Sequence, residues 1–254
     1  MIEVASHVDE VPAVKTIRFD APMTAAPGQF MMIWVPGVDE FPMSVSYVGD
    51  NFGFTYQILG EGTKALAAKK PGDKIGVRGP YGRGFSVRGK RVLMVAGGLG
   101  MAPIGPFVEQ AIAHKASVDL VIGAKSKGNL LFERRSMDAG ATVHIATDDG
   151  SKGTKGFASD LAASVMVQKE FDAVYACGPE AMIVKVMGLA FAKGIPVQAS
   201  LERLMKCGIG ICDSCAINGM HVCKDGPVFS EKELKILSEL GRAKLDLSGR
   251  KVPV

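Results

Sequence analysis

Four of the chain's five cysteines, Cys207, Cys212, Cys215 and Cys223, fall in one short run, and no other stretch restricts the possible fold as much. Their spacing is C-x4-C-x2-C-x7-C, and the first three match the plant-type [2Fe-2S] pattern. Iron bridged by sulfide is held by soft, anionic ligands, which is what thiolates supply. Gly208, Gly210, Ser214, Ala216 and Gly219 are small, so the backbone between the thiols can wrap closely and point its N–H groups at sulfur. A structural zinc site with four thiolates is the competing reading, and disulfides are a further one. Zinc knuckles usually present two short C-x2-C arms. Only Cys212 and Cys215 form such an arm here, so iron–sulfur is favoured.

With 254 residues, the chain is long enough for two or three domains and a sizeable core, and a hydrophobic content of 47% agrees with that. Thirty basic residues against twenty-six acidic ones give a formal charge of +4, too small and too dispersed for a nucleic-acid partner. No apolar run reaches the length of a membrane span, and the first residues, MIEVASHVDEV, carry acids where a signal peptide carries a basic region. A cytoplasmic protein with reduced or metal-bound thiols is expected.

From Ile2 to Arg88, short β-rich runs such as APGQFMMIWVPG and FGFTYQILG alternate with Pro-Gly and Gly-Asp turns, the pattern of an antiparallel barrel. One helix is expected within it, from Thr63 to Lys70. The rhythm changes at Arg91. Continuous apolar strands, RVLMVAGG, VDLVIGAK, ATVHIATDD and FDAVYACGP, alternate with helical stretches, which implies a parallel sheet covered on both faces. The expected units are therefore a β-barrel over 1–88, an α/β domain over 89–197 and a small carboxyl-terminal cysteine domain over 198–254. No internal repeat or low-complexity segment interrupts them. In the tail, Ser230 with Glu233 three residues later is a capping box, and a short surface helix is expected after it.

Two turns in the α/β region carry chemistry. Gly97, Gly98 and Gly100 sit where a strand gives way to a helix, as a pyrophosphate site requires, although the spacing is not G-x-G-x-x-G and such a turn is often purely structural. Cys177, Gly178 and Pro179 close another strand. Ligands bind outside the carboxyl ends of parallel strands, so both turns can line one crevice. Cys177 can equally be a small buried hydrophobe.

The order and spacing of GEGT (60–63), GPYG (79–82), GGLGMAP (97–103) and ACGPEAM (176–182) resemble the ferredoxin-NADP reductase family, which joins a flavin-binding barrel to a nicotinamide-binding α/β domain. With LERLMKCGIGICDSC, VCKDGPVF and DDGSKGTKGF, the chain is similar over essentially its whole length to the electron-transfer subunits of NAD-dependent, type B dihydroorotate dehydrogenases. The resemblance implies FAD, a [2Fe-2S] cluster and NAD as cofactors, in an oxidoreductase subunit of pyrimidine biosynthesis. It also implies a separate FMN-containing catalytic subunit as partner, in a hetero-oligomer expected to be a heterotetramer.

Carried over by residue, the resemblance makes Pro42, Met43 and Ser44 the flavin-phosphate segment. Tyr56, Gln57 and Ile58 become the strand beside the isoalloxazine, and Gly62 and Thr63 the turn that takes the pyrophosphate. Gly97, Gly98 and Gly100 become the nicotinamide-nucleotide turn, with Cys177, Gly178 and Pro179 near the nicotinamide. Cys207, Cys212, Cys215 and Cys223 hold the metal. Phe41 departs from the pattern, because the family usually has an arginine there, and a bidentate guanidinium–phosphate contact is lost. Backbone N–H groups at the Thr63 turn or Lys64 are possible replacements. Lys125 and Lys127 follow the second strand of the α/β domain, where a 2′-phosphate would be met, while the resemblance favours NAD. No dihydroorotate pocket and no general acid or base is expected on this chain. Alternative functions are a diaphorase subunit of a soluble hydrogenase, sulfur reductase or transhydrogenase, or a zinc-stabilised nucleotide-binding regulator without redox activity.

Overall fold

A computed structural model describes all residues, 1–254. The amino-terminal strands are β1 (Ile2–Glu3), β2 (Ser6–Val11), β3 (Val14–Arg18), β4 (Phe30–Val35), β5 (Asp39–Tyr47) and β6 (Gly53–Gln57). Helix α1 (Glu61–Ala67) and strand β7 (Lys74–Tyr81) follow. The seven strands form one curled antiparallel sheet in the order β1-β7-β4-β5-β6-β3-β2. Strand β4, FMMIWV, is buried except at Trp34, and its period-two alternation divides it between two cores. Met31, Ile33 and Val35 face the barrel interior with Phe54 and Tyr56, whereas Phe30 and Met32 join the core that holds Cys215 and Cys223. One strand thus fixes the barrel against the cysteine segment.

Helix α1 begins two residues before the expected Thr63. Gly60 is its extended cap, and Thr63, inside the first turn, accepts hydrogen bonds at Oγ1 from the backbone N–H groups of Leu59 (2.9 Å) and Gly60 (3.1 Å). The threonine caps from within the helix instead of preceding it.

The α/β region contains β8 (Arg91–Gly97), α2 (Met101–Ala113), β9 (Ser117–Ala124), α3 (Glu133–Asp138), β10 (Thr142–Thr147), β11 (Thr154–Lys155), α4 (Ala158–Gln168), β12 (Ala173–Cys177), α5 (Glu180–Ala192) and β13 (Val197–Ser200). These strands are parallel, in the order β11-β10-β9-β8-β12-β13. Their apolar runs are buried on both sides, as strands covered by helices must be. The chain moves outward from β8 to β9 on one side and returns to β12 on the other. That reversal opens a crevice at the carboxyl ends of β8 and β12.

The last segment supplies β14 (Ala216–Ile217), β15 (Met220–His221), β16 (Val228–Ser230), α6 (Glu231–Leu234), β17 (Ala243–Leu245) and β18 (Lys251–Pro253). Strand β16 pairs antiparallel with β13, so the cysteine segment extends the α/β sheet by one strand. Strand β13 itself runs through residues 197 and 198, where the sequence rhythm changes. The Ser230 capping box forms, with the backbone N–H and hydroxyl of Ser230 each donating to Glu233 Oε2 at 2.7 Å. The helix it starts is a single turn, and Leu234, Leu237 and Leu240 pack into the shared core.

Candidate functional site

The cysteine loop is built by backbone that turns left-handed at several points. Gly208 and Gly210 have φ of +74° and +76°, where a side chain is strained. A Cβ on Gly208 would lie 3.0 Å from Met32 Cγ, and one on Gly210 would lie 2.6 Å from Lys224 Cδ. The turns aim N–H groups at sulfur: Ile209 and Ile211 each donate to Cys207 Sγ at 3.4 Å, Gly210 to Cys223 Sγ at 3.1 Å, and Cys223 to Cys215 Sγ at 3.4 Å. Cys215 and Cys223 are buried, Cys207 is half-buried and Cys212 is exposed; all are free thiols.

Burial pushes the Cys207 thiol up, but the N–H groups of Ile211 and Ile209 outweigh it and bring the pKa down to about 6. Burial and the neighbouring Cys215 push Cys223 up to about 12. Metal binding at such a loop expels protons from thiols that otherwise keep them. Four soft donors in one loop, with N–H groups already directed at three of them, fit an iron–sulfur cluster.

A crevice of about 1830 Å³ lies beside this loop. Pro42, Met43, Gln57, Gly62 and Thr63 line its barrel wall, and Gly97, Gly98, Gly100, Gly178 and Pro179 line its α/β wall. The two glycine turns lie back to back. A Cβ on Gly100 would fall 2.2 Å from the carbonyl oxygen of Cys177, and one on Gly178, at φ +143°, would fall 2.8 Å from Gly97 N. The missing side chains are therefore required by packing as well as by ligand approach.

Ser44, Tyr56, Ile58 and Cys177 do not line the crevice. Tyr56 points into the barrel, fully buried, with its hydroxyl 2.9 Å from His7 Nε2, and burial raises its pKa above the usual tyrosine value. Cys177 lies behind the Gly178 turn, and burial pushes its thiol up to about 12. Phe41 lines the crevice and packs directly under the first turn of α1, since a Cβ on Gly62 would be 2.6 Å from Phe41 Cε1. Lys64 is engaged with Glu61 at 2.8 Å. Lys125 lines the crevice, whereas Lys127 does not, and its backbone N–H donates to Ser151 Oγ at 2.7 Å.

Several crevice residues lie outside the set of site residues expected from the sequence. Residues 201–206 run along it directly into Cys207, and Lys244, Leu245 and Leu247 of the carboxyl-terminal hairpin form a further wall. Arg203, whose side chain is 4% exposed, donates to both oxygens of Glu180, at 2.6 Å from Nη1 and 3.0 Å from Nη2. Glu180 also accepts from Gly241 N, so one ion pair joins helix α5, the approach to the cysteines and the tail. At the barrel side, Arg135 donates to Glu109 and to the Ser46 carbonyl while lying over the Tyr47 and Phe132 rings.

Fold and site together define an oxidoreductase of the ferredoxin-reductase type that carries an iron–sulfur segment at its carboxyl end. Residues 94–187 match the oxidoreductase NAD-binding domain, and residues 202–235 match the iron-sulfur cluster binding domain of dihydroorotate dehydrogenase B. Two similar proteins are described as probable dihydroorotate dehydrogenase B (NAD(+)), electron transfer subunits. The one from Methanocaldococcus jannaschii is 45% identical over 96% of this chain and 95% of its own, and the one from Methanocella arvoryzae is 43% identical over 96% and 95%. Among solved structures, an NADH-dependent reduced ferredoxin-NADP oxidoreductase studied for flavin-based electron bifurcation superposes with a TM-score of 0.83 at 27% identity, over 94% of this chain and 93% of that one. A ferredoxin reductase of carbazole 1,9a-dioxygenase superposes at 0.66 with 18% identity, covering 78% and 67%, and shares the fold. The chain belongs to the family of dihydroorotate dehydrogenase B electron transfer subunits.

Proposed function

We propose that the chain passes electrons between an FMN-containing dihydroorotate dehydrogenase catalytic subunit and NAD, by way of a [2Fe-2S] cluster on Cys207, Cys212, Cys215 and Cys223 and an FAD in the crevice. The observation that carries this reading is continuity: residues 201–206 line the crevice and residue 207 is the first thiol. When bound, FAD supplies the exchange between two-electron hydride chemistry and one-electron traffic. The chain's own residues bind and orient. Pro42, Met43, Gln57, Gly62 and Thr63 hold the flavin nucleotide, with Ser44, Tyr56 and Ile58 shaping that wall from behind. Gly97, Gly98 and Gly100 receive the pyrophosphate of the nicotinamide nucleotide, and Cys177, Gly178 and Pro179 back its nicotinamide end.

The partner docks where the cluster edge is open. Cys212 is exposed there, directly after Ile211, and Ile209 and Ile211 are 47% and 76% exposed. No helix is long and apolar enough to cross a membrane. The purified chain, loaded with FAD and cluster, should oxidise NADH with an artificial acceptor and should turn over dihydroorotate only after the FMN subunit is added. Dihydroorotate oxidation by this chain alone would refute the reading.

A further inference from the structure

Strand β7 carries one side chain that touches both halves of the site. Arg78 donates from Nε and Nη2 to the two carboxylate oxygens of Glu40, at 2.7 and 2.8 Å, and from Nη1 to the backbone carbonyl of Cys207 at 2.8 Å. Its guanidinium lies 5.5 Å from the centroid of the Tyr81 ring. Glu40 lines the crevice, two residues before Pro42 on β5. Arg78 is paired in register with Met32 on β4, the residue that packs against Gly208 in the cysteine loop. One planar fork therefore spans the crevice wall at Glu40 and the backbone carbonyl of Cys207, and a lysine has no fork with which to do so. Stability does not account for it. Both side chains are about one-third exposed, at 35% and 32%, and ion pairs of that kind contribute little to folding.

We propose that Arg78 is a positioning residue that fixes the cluster loop to the flavin wall, and that the Arg78–Glu40 pair sets the cluster's reduction potential through opposed charges. This rests on the reading that the four cysteines hold a [2Fe-2S] cluster. Reduction adds one negative charge to the cluster, so a cation held on the Cys207 carbonyl favours the reduced form and the neighbouring carboxylate opposes it.

The test is an EPR-monitored redox titration of the full chain, loaded with cluster and FAD, for the wild type and for Arg78→Gln, Glu40→Gln, the double variant and Arg78→Lys. Arg78→Gln should lower the reduced-to-oxidised ratio at a fixed ambient potential about tenfold, equivalent to about 59 mV for a one-electron couple. Glu40→Gln should raise it, the double variant should return toward the wild type, and Arg78→Lys should keep most of the potential. A merely structural residue would move melting temperatures while leaving the potential in place. Should Arg78→Gln not fold, Glu40→Gln and Arg78→Lys still decide the matter, because Glu40→Gln must raise the ratio and Arg78→Lys must leave most of it in place. Unchanged potentials, or Arg78→Gln and Glu40→Gln moving it in the same direction, would overturn the inference. A wild type without any [2Fe-2S] signal would instead overturn the assignment of the four cysteines.

Discussion

The cysteine loop and the crevice beside it are built by opposite means. The loop's donors lie within one run of chain, and left-handed turns at Gly208 and Gly210 bring N–H groups to sulfur, with Met32 and Arg78 of the barrel holding the loop from outside. The crevice is assembled from strand ends far apart in sequence, β5, β6, β8 and β12, together with residues 201–206 and the tail. Its walls are placed by sheets that exist without any ligand. The loop is thus a local arrangement of donors, whereas the crevice is a product of the whole fold. Damage to one should leave the other standing.

The largest expected effect breaks the loop alone. Cys212→Ser or Cys215→Ser should abolish the cluster, so that iron and acid-labile sulfide fall from about two each per chain to near zero, as measured colorimetrically. FAD binding should survive. Cys177→Ser should leave iron and sulfide intact, because Cys177 sits behind the Gly178 turn and is no part of the loop.

The next effect falls on the joint between the two regions. Arg203→Leu leaves Glu180, 16% exposed at the crevice, with only the Gly241 N–H, so the loss should fall at the low end of the roughly 3–5 kcal/mol that breaking a buried pair costs. Denaturant unfolding of the single variant should show this loss, and Arg203→Leu combined with Glu180→Leu should recover much of it.

A smaller effect tests the crevice wall. Gly62→Ala places a methyl against the Phe41 ring, which must push the first turn of α1 away, and the FAD dissociation constant should rise about tenfold, near 1.4 kcal/mol. Phe41→Arg should act the other way and tighten FAD, since each charge-assisted hydrogen bond to phosphate contributes about 1.5–3 kcal/mol. Equal FAD affinity in Phe41→Arg and the wild type would place the flavin phosphates away from Pro42 and Met43. The cluster content of both variants should not change.

The smallest effect concerns the tail. Burial pushes the Glu233 carboxyl up, but the Ser230 backbone and hydroxyl and then Arg83 outweigh it and hold the pKa below the ordinary 4.5. A depressed acid stabilises the fold above its ordinary pKa, and that contribution is lost as pH falls through the depressed value. Glu233→Gln should therefore be less stable than the wild type by up to about 1 kcal/mol at neutral pH, and the gap should close as pH falls through the depressed value. Paired urea unfolding at several pH values measures it.

The same contrast explains what could be read from the sequence. The cysteine spacing is local, so the loop and its glycines were legible from residues alone. The strand–helix alternation after Arg91 was legible too, because apolar strands covered on both faces leave continuous runs. Strand β16 was not, since three residues that pair with β13 carry no period of their own. Arg78 read only as part of a strand, because its partner Cys207 lies 129 positions away. Phe41 stood out as a departure from the family pattern, but its packing under Gly62 depends on how β5 meets α1. Tyr56 was assigned beside the flavin, and alternation along β6 instead turns its ring into the barrel and leaves Gln57 to the crevice.

The most direct test joins the two regions in one observation: anaerobic addition of NADH to the chain loaded with FAD and cluster, followed by EPR. If residues 201–206 couple the crevice to the cysteine loop, NADH alone should produce the signal of a reduced [2Fe-2S] cluster, and dithionite should add little to it. Flavin that bleaches with NADH while the cluster stays silent until dithionite is added would contradict that coupling.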